Sequence, residues 1–463
     1  MSEHPLIVIG AGPGGYAAAF LAADKGMDVT LVDDRDAPGG VCLHIGCIPS
    51  KTLLHIARLI GEARQAKEWG LDFGEPRIDP TALRKWKNKV VDQMTGGLTQ
   101  LSKQRNVKRI TGRAVFQNAH SIQVGGEVLK FKHCIVATGS RPTWPKGFPK
   151  PGGQVMDSTS ALEIEDIPGR LLVIGGGYIG LEMGTVYAAL GSRVTVVEMT
   201  GDLLPGVDRD LVRPLQRKLA GDFEAIHLNT KVASLKQNKE AVHAVLENED
   251  GQREEIFDRV LVAVGRQPNT EGLELNSTSI ELDAHGFIPV NAQRQTTEPS
   301  IYAIGDVTGG ALLAHKATHE ARVAVEAIAG EKTEWGPRAI PAVVFTDPEI
   351  AWCGLTENET KENNIEAEIA KFPWGASGRA QSLGRAEGVT KLILQPKTGR
   401  VLGVGLCGAG AGELISEGVL AVEMGAVAED IAHSIHPHPT LSETLMESAE
   451  TFLGSATHLF RKK

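Results

Sequence analysis

Aromatic side chains are scarce in this chain, with 6 Trp, 4 Tyr and 12 Phe among 463 residues. Cysteine is scarcer still, and five in a chain of this length exclude a disulfide scaffold. Cations are outnumbered, 48 Lys and Arg against 57 Asp and Glu, for a formal net charge of −9. Duplex affinity comes mainly from neutralising phosphates, so nucleic acid is not an expected partner. No apolar run approaches the ~20 residues that span a bilayer. The opening MSEHPLIVIG lacks the basic region and the apolar length of a signal peptide. The expectation is a cytoplasmic protein with no membrane partner. What the chain has in surplus is glycine, 53 residues without low complexity, where a share of ~7% is usual. That surplus suits the tight turns of nucleotide-binding α/β proteins. The length is that of about three domains of ~150 residues.

Internal repeats organise the chain. Residues 6–33, LIVIGAGPGGYAAAFLAADKGMDVTLVD, align without gaps on 171–198, LLVIGGGYIGLEMGTVYAALGSRVTVVE, with 11 identities in 28 positions. Each copy reads as a buried strand, a Gly-rich turn, an amphipathic helix and a second buried strand ending in an acid. A second pair matches as well: 133–142, HCIVATGSRP, and 259–268, RVLVAVGRQP, are apolar strands running into a Gly turn. Two nucleotide-binding units therefore sit in series, 1–155 and 156–270. Strand signals continue to SIYAIGDV at 300–307, and 311–330 reads as a helix; 271–341 is a central segment closed by the charged stretch EKTEWGPRAIP. Beyond it, 342–463 mixes strands with helices at 412–425 and 441–453, an α+β domain of its own. No segment is low-complexity.

The first fingerprint is Gly10-x-Gly12-x-x-Gly15 with Asp33 at the end of the next strand. The first glycine permits the tight turn, the second lets a pyrophosphate approach the backbone, and the third lets helix pack on strand. The helix N-terminus then holds the pyrophosphate, and the acid accepts from a ribose. The second fingerprint is Gly175-x-Gly177-x-x-Gly180 with Glu198. Met199 and Thr200 follow, with no Arg to receive a 2′-phosphate, which favours NAD over NADP. Two such sites suggest one dinucleotide kept and one exchanged. Just after the first lies GGVCLHIGCIPSKT, with Cys42 and Cys47. A metal pair would need further ligands, and Cys134, Cys353 and Cys407 are isolated, so no metal site is expected. On spacing alone a redox pair at a helix N-terminus is favoured over simple burial and over a metal pair.

Together, GxGPGG near the start, GGVCLxxGCIPSK, a central GGGYIGLE, AIGDV and HPTLSE resemble the pyridine nucleotide–disulfide oxidoreductases over essentially the whole chain. Within them the likeness is to the branch that oxidises protein-bound dihydrolipoamide. The resemblance implies an α/β fold of two Rossmann-like domains, for FAD and NAD, plus a C-terminal α+β dimerisation domain at 342–463. It implies FAD on 1–155, completed by 271–341, and NAD on 156–270. It also implies that Cys42 and Cys47 form a redox-active disulfide, Cys42 exchanging with the dithiol and Cys47 facing the flavin. Lys51 would place an ammonium near the flavin, and Glu182 would sit between flavin and nicotinamide. Asp306 would accept from the flavin's ribityl chain or cap the helix after it. Gly139 and Ser140 would mark a loop near FAD, Ala314 would offer its backbone, and Gly265 would end the NAD-domain strand.

The last implied site is a His438–Glu443 dyad within HPHPTLSE. Only thiolates attack disulfides productively, and a histidine oriented by a carboxylate suits the removal of a thiol proton. His436 is the weaker candidate. The resemblance further implies a homodimer in which His438 serves the other subunit's disulfide. The chain opens directly at its first strand, so the lipoyl group is expected on another protein: an acyltransferase core or the glycine-cleavage carrier protein. His44 stands where Asn is common, Gln267 where Arg is frequent, and Cys353 where cysteine is unusual. Three rivals compete. A glutathione-type reductase would be NADP-selective, against Glu198. A mercuric reductase would end in a cysteine pair, where this chain ends RKK. A redox-sensing flavoprotein, whose NAD occupancy controls a partner, is made unnecessary by Cys42, Cys47 and His438 together and stays open as a second activity.

Overall fold

In the computed structural model, which describes residues 2–460, the strand Ser2–Ile9 lies between Val29–Asp33 and Glu127–Val136 and runs parallel to both. Lys108–Thr111 extends this sheet on one side. Ser121–Val124 and Ala114–Asn118 continue it antiparallel on the other, and Ile301–Ala303 returns to pair with Glu127–Val136. Leu6, Ile7, Val8 and Ile9 are all buried because both faces of a parallel sheet are covered. The helices Pro13–Asp24 and Ala314–Ile328 pack on each other over one face.

The second repeat rebuilds this plan. Arg170–Ile174 lies between Arg193–Val197 and Arg259–Val262, all parallel, with Ala225–His227 and Val155–Met156 at the edges. The fingerprint glycines meet the same constraint in both units. Gly10 and Gly175 turn at φ +99° and +108°, and a Cβ on either would lie 2.3 Å from the carbonyl oxygen of Ala137 or Ala263. A Cβ on Gly15 or Gly180 would collide with the carbonyl oxygen of Gly10 or Gly175, at 1.7 and 2.2 Å. Ala137 and Ala263 belong to the second pair of matched segments, so both sequence repeats meet at one spot in each unit. Just past that spot, Ser140–Pro142 pairs antiparallel with Arg266–Pro268 and joins the two units. The expected division at 155/156 falls inside the strand Val155–Met156, both residues of which pair into the second sheet.

The C-terminal strands form an antiparallel sheet in the order Ala342–Val344, Glu349–Gly354, Val401–Gly408, Val389–Leu394, Glu368–Pro373. Helices Ala411–Met424, Ala428–His433 and Glu443–Leu453 share a core with it. From this sheet Val344, Ile350 and Cys407 also share a core with Leu211 and Leu215 of the second unit. Between the two, the fully buried Lys391 meets Asp208 at 2.6 Å, Asp210 at 2.8 Å and Glu357 at 3.3 Å. Leaving a buried charge unpaired costs about 3–5 kcal/mol, so this network fixes how the C-terminal sheet sits on the second unit.

Two helical segments depart from the sequence expectations. The run Gly40–Trp69 has a stretch long and apolar enough, by composition, to cross a membrane. Its Leu53, Leu54, Ala57 and Ile60 are instead buried in the core shared with the second unit. Pro80–Gln104, at 25 residues, was not anticipated. Only Lys87, Val91 and Ser102 along it are buried. Its start was readable: Asp79 accepts from the N–H groups of Thr81 and Ala82 at 2.9 and 3.1 Å, with Pro80 in the first turn.

Candidate active site

An open cavity of about 560 Å³ lies where the two nucleotide-binding units meet. Gly10, Gly12 and Asp33 line it from the first fingerprint, Cys42, Cys47 and Lys51 from the helices behind, and Gly139, Ser140, Asp306 and Ala314 from the loops. Glu182 reaches it from the second unit. Gly15, the second fingerprint with Glu198, Gly265, and the pair His438 and Glu443 lie outside its wall.

The two strand-end acids play one part in their two units. Asp33 accepts from the Ala11 N–H at 2.6 Å and the Arg35 N–H at 2.9 Å. Glu198 accepts from the Gly176 N–H at 2.7 Å and the Thr200 N–H at 2.8 Å. Ala11 and Gly176 are equivalent in the repeat, so each acid is braced by its own Gly-rich turn before any ribose arrives. The middle glycines Gly12 and Gly177 have little beyond them; a Cβ would find only Gly40 Cα at 3.8 Å in the first case and nothing within 4 Å in the second. That clearance at a helix N-terminus is what a pyrophosphate needs.

Cys42 sits in the short helix Gly40–Ile45, and Cys47 opens the helix Cys47–Gln65. Gly46 lets the two approach: a Cβ there would fall 2.8 Å from the Val41 carbonyl oxygen. Both cysteines are thiols, Cys42 half-buried and Cys47 exposed to the cavity. The Cys42 thiol donates to Cys47; that bond, helped by the Lys51 ammonium and opposed by burial and Glu182, brings Cys47 down to about 7. Its hydrogen bond to Cys47, together with burial, pushes Cys42 far above the ordinary thiol range. The low-lying thiol of the pair is therefore Cys47 and the high-lying one Cys42. Titration of the dithiol protein should show one thiolate by ultraviolet absorbance, present above pH about 7 and lost as pH falls through it. Cys42→Ala removes the donor and should move the midpoint up; a wild-type midpoint at the ordinary thiol value would contradict this geometry.

Behind the cysteines, Lys51 Nζ is 2.8 Å from Glu182 Oε2. The Phe345 N–H donates to Glu182 Oε1 at 3.0 Å, and Lys51 lies over the Phe345 ring at 4.5 Å. One residue from each of the three parts of the chain thus meets at this point. Phe345 was missed in the sequence because nothing local marks it. At the far side of the cavity Ser140 Oγ donates to Asp306 Oδ2 at 2.5 Å. Arg266, also missed, donates from Nε to Ser140 Oγ and from Nη2 to the Ser140 carbonyl oxygen, each at 2.7 Å. Ala314 is the first residue of its helix. Gly139 and Gly265 both turn at positive φ, at the start of the paired segments that join the units.

The dyad stands apart. His438 Nδ1 is 2.9 Å from Glu443 Oε1, and Glu443 Oε2 accepts from the Thr440 N–H at 2.7 Å. Burial opposes it, but the Thr440 N–H and His438 hold the Glu443 carboxyl below the usual carboxylate range. The His438 side chain is 73% exposed. It lies outside the wall of the cavity that contains Cys42 and Cys47. His436 is tied down by Glu417 at 2.8 Å and the Ser434 carbonyl oxygen at 2.7 Å. His44 faces the Ala37 carbonyl oxygen at 3.3 Å, and burial pushes Cys353 up to about 12. Among the described residues no group of three or more His, Cys, Asp or Glu could hold a metal ion.

Residues 4–321 match the family described as pyridine nucleotide-disulphide oxidoreductase, and residues 340–449 match its dimerisation domain. The chain belongs to this family. As an oxidoreductase of the family it carries a dimerisation domain and works with FAD and NAD. It is 45% identical over 459 residues to a dihydrolipoyl dehydrogenase of Vibrio cholerae, covering 98% of this chain and 96% of that one. A dihydrolipoyl dehydrogenase of Thermus scotoductus is 44% identical over 465 residues, with both chains fully covered. Among solved structures, a Cu(II) complex of the HOCl-induced flavoprotein disulfide reductase RclA from Escherichia coli superposes with a TM-score of 0.86 at 30% identity, over 98% of this chain and 99% of that one. The oxidoreductase's cavity fits FAD: it runs from the clear backbone at Gly12, past Asp306, to Cys47 and Lys51.

Proposed function

We propose that the chain is an NAD-dependent dihydrolipoyl dehydrogenase that oxidises dihydrolipoamide carried on another protein. The observation that carries the reading is the Cys42–Cys47 pair opening into the cavity with its low-lying thiol at Cys47 and Lys51 behind it. Relatives of that name along the full length support it. In this reading FAD occupies the first fingerprint and NAD the second, and when bound they supply the two-electron path from dithiol to nicotinamide.

His438, oriented by Glu443, takes a proton from a substrate thiol. The thiolate attacks Cys42 Sγ, the Cys42–Cys47 bond breaks, and a mixed disulfide forms. Cys47 leaves as a thiolate, which suits its low pKa and the neighbouring Lys51 ammonium. His438 gives its proton to the departing Cys42 Sγ and takes that of the second substrate thiol, which attacks the substrate sulfur of the mixed disulfide. Oxidised lipoamide leaves, with Cys42 a thiol and His438 holding the second proton. Glu182 keeps Lys51 pointed at the cavity. Asp306 and Ala314 hold the FAD, and the braced carboxylate of Glu198 takes the NAD ribose.

The exposed His438 needs a second chain. Ile435 beside it is 98% exposed, and Leu420 and Met424 are bare on the same domain. Leu59, Trp69 and Trp86 are bare on the helices that follow the cysteines, and Phe73 is bare on the segment between them. Two such apolar faces on one chain suit a twofold dimer in which each covers the other, bringing His438 to the partner's disulfide. The lipoyl carrier is then an acyltransferase core or the glycine-cleavage carrier protein.

A steady-state assay tests both substrate and cofactor. Dihydrolipoamide with NAD should turn over, while glutathione and mercuric ion should not. NAD should exceed NADP by about 100-fold or more in kcat/KM, because Glu198 would repel a 2′-phosphate. Glu198→Ala should narrow that gap and leave FAD bound, since Asp33 serves the other site. Equal use of NAD and NADP by the wild-type protein would sink the cofactor assignment.

A further inference from the structure

Outside the sites above, the most unusual buried group is Glu320. Its carboxylate is fully buried, a placement that costs several kcal/mol unless it is paired. Glu320 Oε2 accepts from the Gly305 N–H at 2.6 Å. Its Oε1 lies 3.0 Å from both Lys316 Nζ and Arg294 Nη2, themselves nearly buried at 6% and 10% exposed. Lys316 also donates to the Gly305 carbonyl oxygen at 3.2 Å, and Thr308 Oγ1 donates to the same oxygen at 2.8 Å. Arg294 in turn donates to Thr308 Oγ1 at 3.3 Å. Both peptide groups of Gly305 are thus held, at φ +77°, by one ion cluster.

The residue after Gly305 is Asp306. Its backbone belongs to the turn Gly305–Thr308 that the cluster grips, and its carboxylate lines the cavity. Glu320 and Lys316 stand on the helix whose first residue, Ala314, lines the same cavity. A buried ion cluster is weak evidence for stability, because apolar residues of equal volume often pack as well. What it does supply is direction, since charged groups hold a peptide where apolar packing would not.

We propose that Glu320 is a positioning residue for FAD, which with Lys316 and Arg294 clamps the Gly305 peptide groups and so aims the Asp306 carboxylate into the cavity. The inference rests on the proposal that Asp306 holds the flavin. The FAD-loaded holoenzyme, Glu320→Gln, Asp306→Asn and the double variant are each diluted, and FAD release is followed as recovery of free-flavin fluorescence. Glu320→Gln should release FAD about 10-fold faster or more, since its amide cannot pair with both cations. Asp306→Asn should be at least as fast, and the double variant should match it within about two-fold, because Glu320 acts through Asp306. Rates that multiply in the double variant would overturn the inference, making Glu320 a general support of the fold. Wild-type release from Glu320→Gln would overturn it too. Wild-type release from Asp306→Asn would instead remove Asp306 from the flavin site and take the inference with it. Far-UV circular dichroism checks folding; if Glu320→Gln does not fold, Lys316→Gln takes its place in the same cycle, with the same deciding outcomes.

Discussion

Replacing Cys42 by Ser is expected to stop dihydrolipoamide oxidation, with kcat down on the order of 10⁴-fold or more, as for other nucleophile deletions. The attack goes to Cys42 Sγ, and a hydroxyl cannot form the disulfide that receives it. The loss should come without loss of FAD, because Cys42 lies on the helix Gly40–Ile45 and not on the turns that hold the dinucleotide. The spectroscopic outcome separates the two cysteines. Cys47 keeps its place beside Lys51 in Cys42→Ser, so a thiolate-to-flavin absorbance at long wavelength should persist in that variant. In Cys47→Ser it should vanish. Cys42→Ser with full activity on dihydrolipoamide would take the cysteine pair out of the mechanism.

The second large effect concerns His438. His438→Gln should lower kcat/KM by about 10²- to 10⁴-fold, the usual range for a general base. Its loss should be complemented across subunits. The His438 side chain is 73% exposed and lies outside the cavity wall that contains Cys42 and Cys47, which suits a base that serves the disulfide of a second chain. A variant lacking both cysteines and a variant lacking His438 should each be inactive. Unfolded together in equal amounts and reassociated, about half of the dimers should be mixed. One site in each mixed dimer then has both defects, and the other has intact cysteines facing an intact His438. Activity should return to about a quarter of wild type by that symmetry. No recovery, with mixed dimers formed and FAD retained, would mean that His438 serves its own chain.

The sequence alone determined the features that local geometry dictates. Gly10 and Gly175 were readable because a Cβ at either would strike a carbonyl 2.3 Å away, and that constraint leaves a repeat in the chain. The Cys42–Cys47 pair and the His438–Glu443 pair were legible through the motifs GGVCLHIGCIPSK and HPTLSE, since spacing alone left their roles open. The acids Asp33 and Glu198 were placed by strand length, and each is braced by the turn of its own unit. Less was legible where burial was thin, as in Pro80–Gln104, along which only Lys87, Val91 and Ser102 are buried.

Only the tertiary structure decided the polar partners drawn from distant segments. Arg266 reaches Ser140 across 126 positions, Phe345 reaches Glu182 across 163, and Lys391 reaches Asp208 across 183. Each is an ordinary residue in its own stretch of chain, with no spacing or period to single it out. It acquires a role because the fold packs elements from separate segments against one another. A buried polar group must find a partner wherever the fold brings one, and which one it finds depends on how the sheets pack. Glu320 belongs with them: on its helix it reads as one more charged position, and the buried turn at Gly305 is what gives its carboxylate a task.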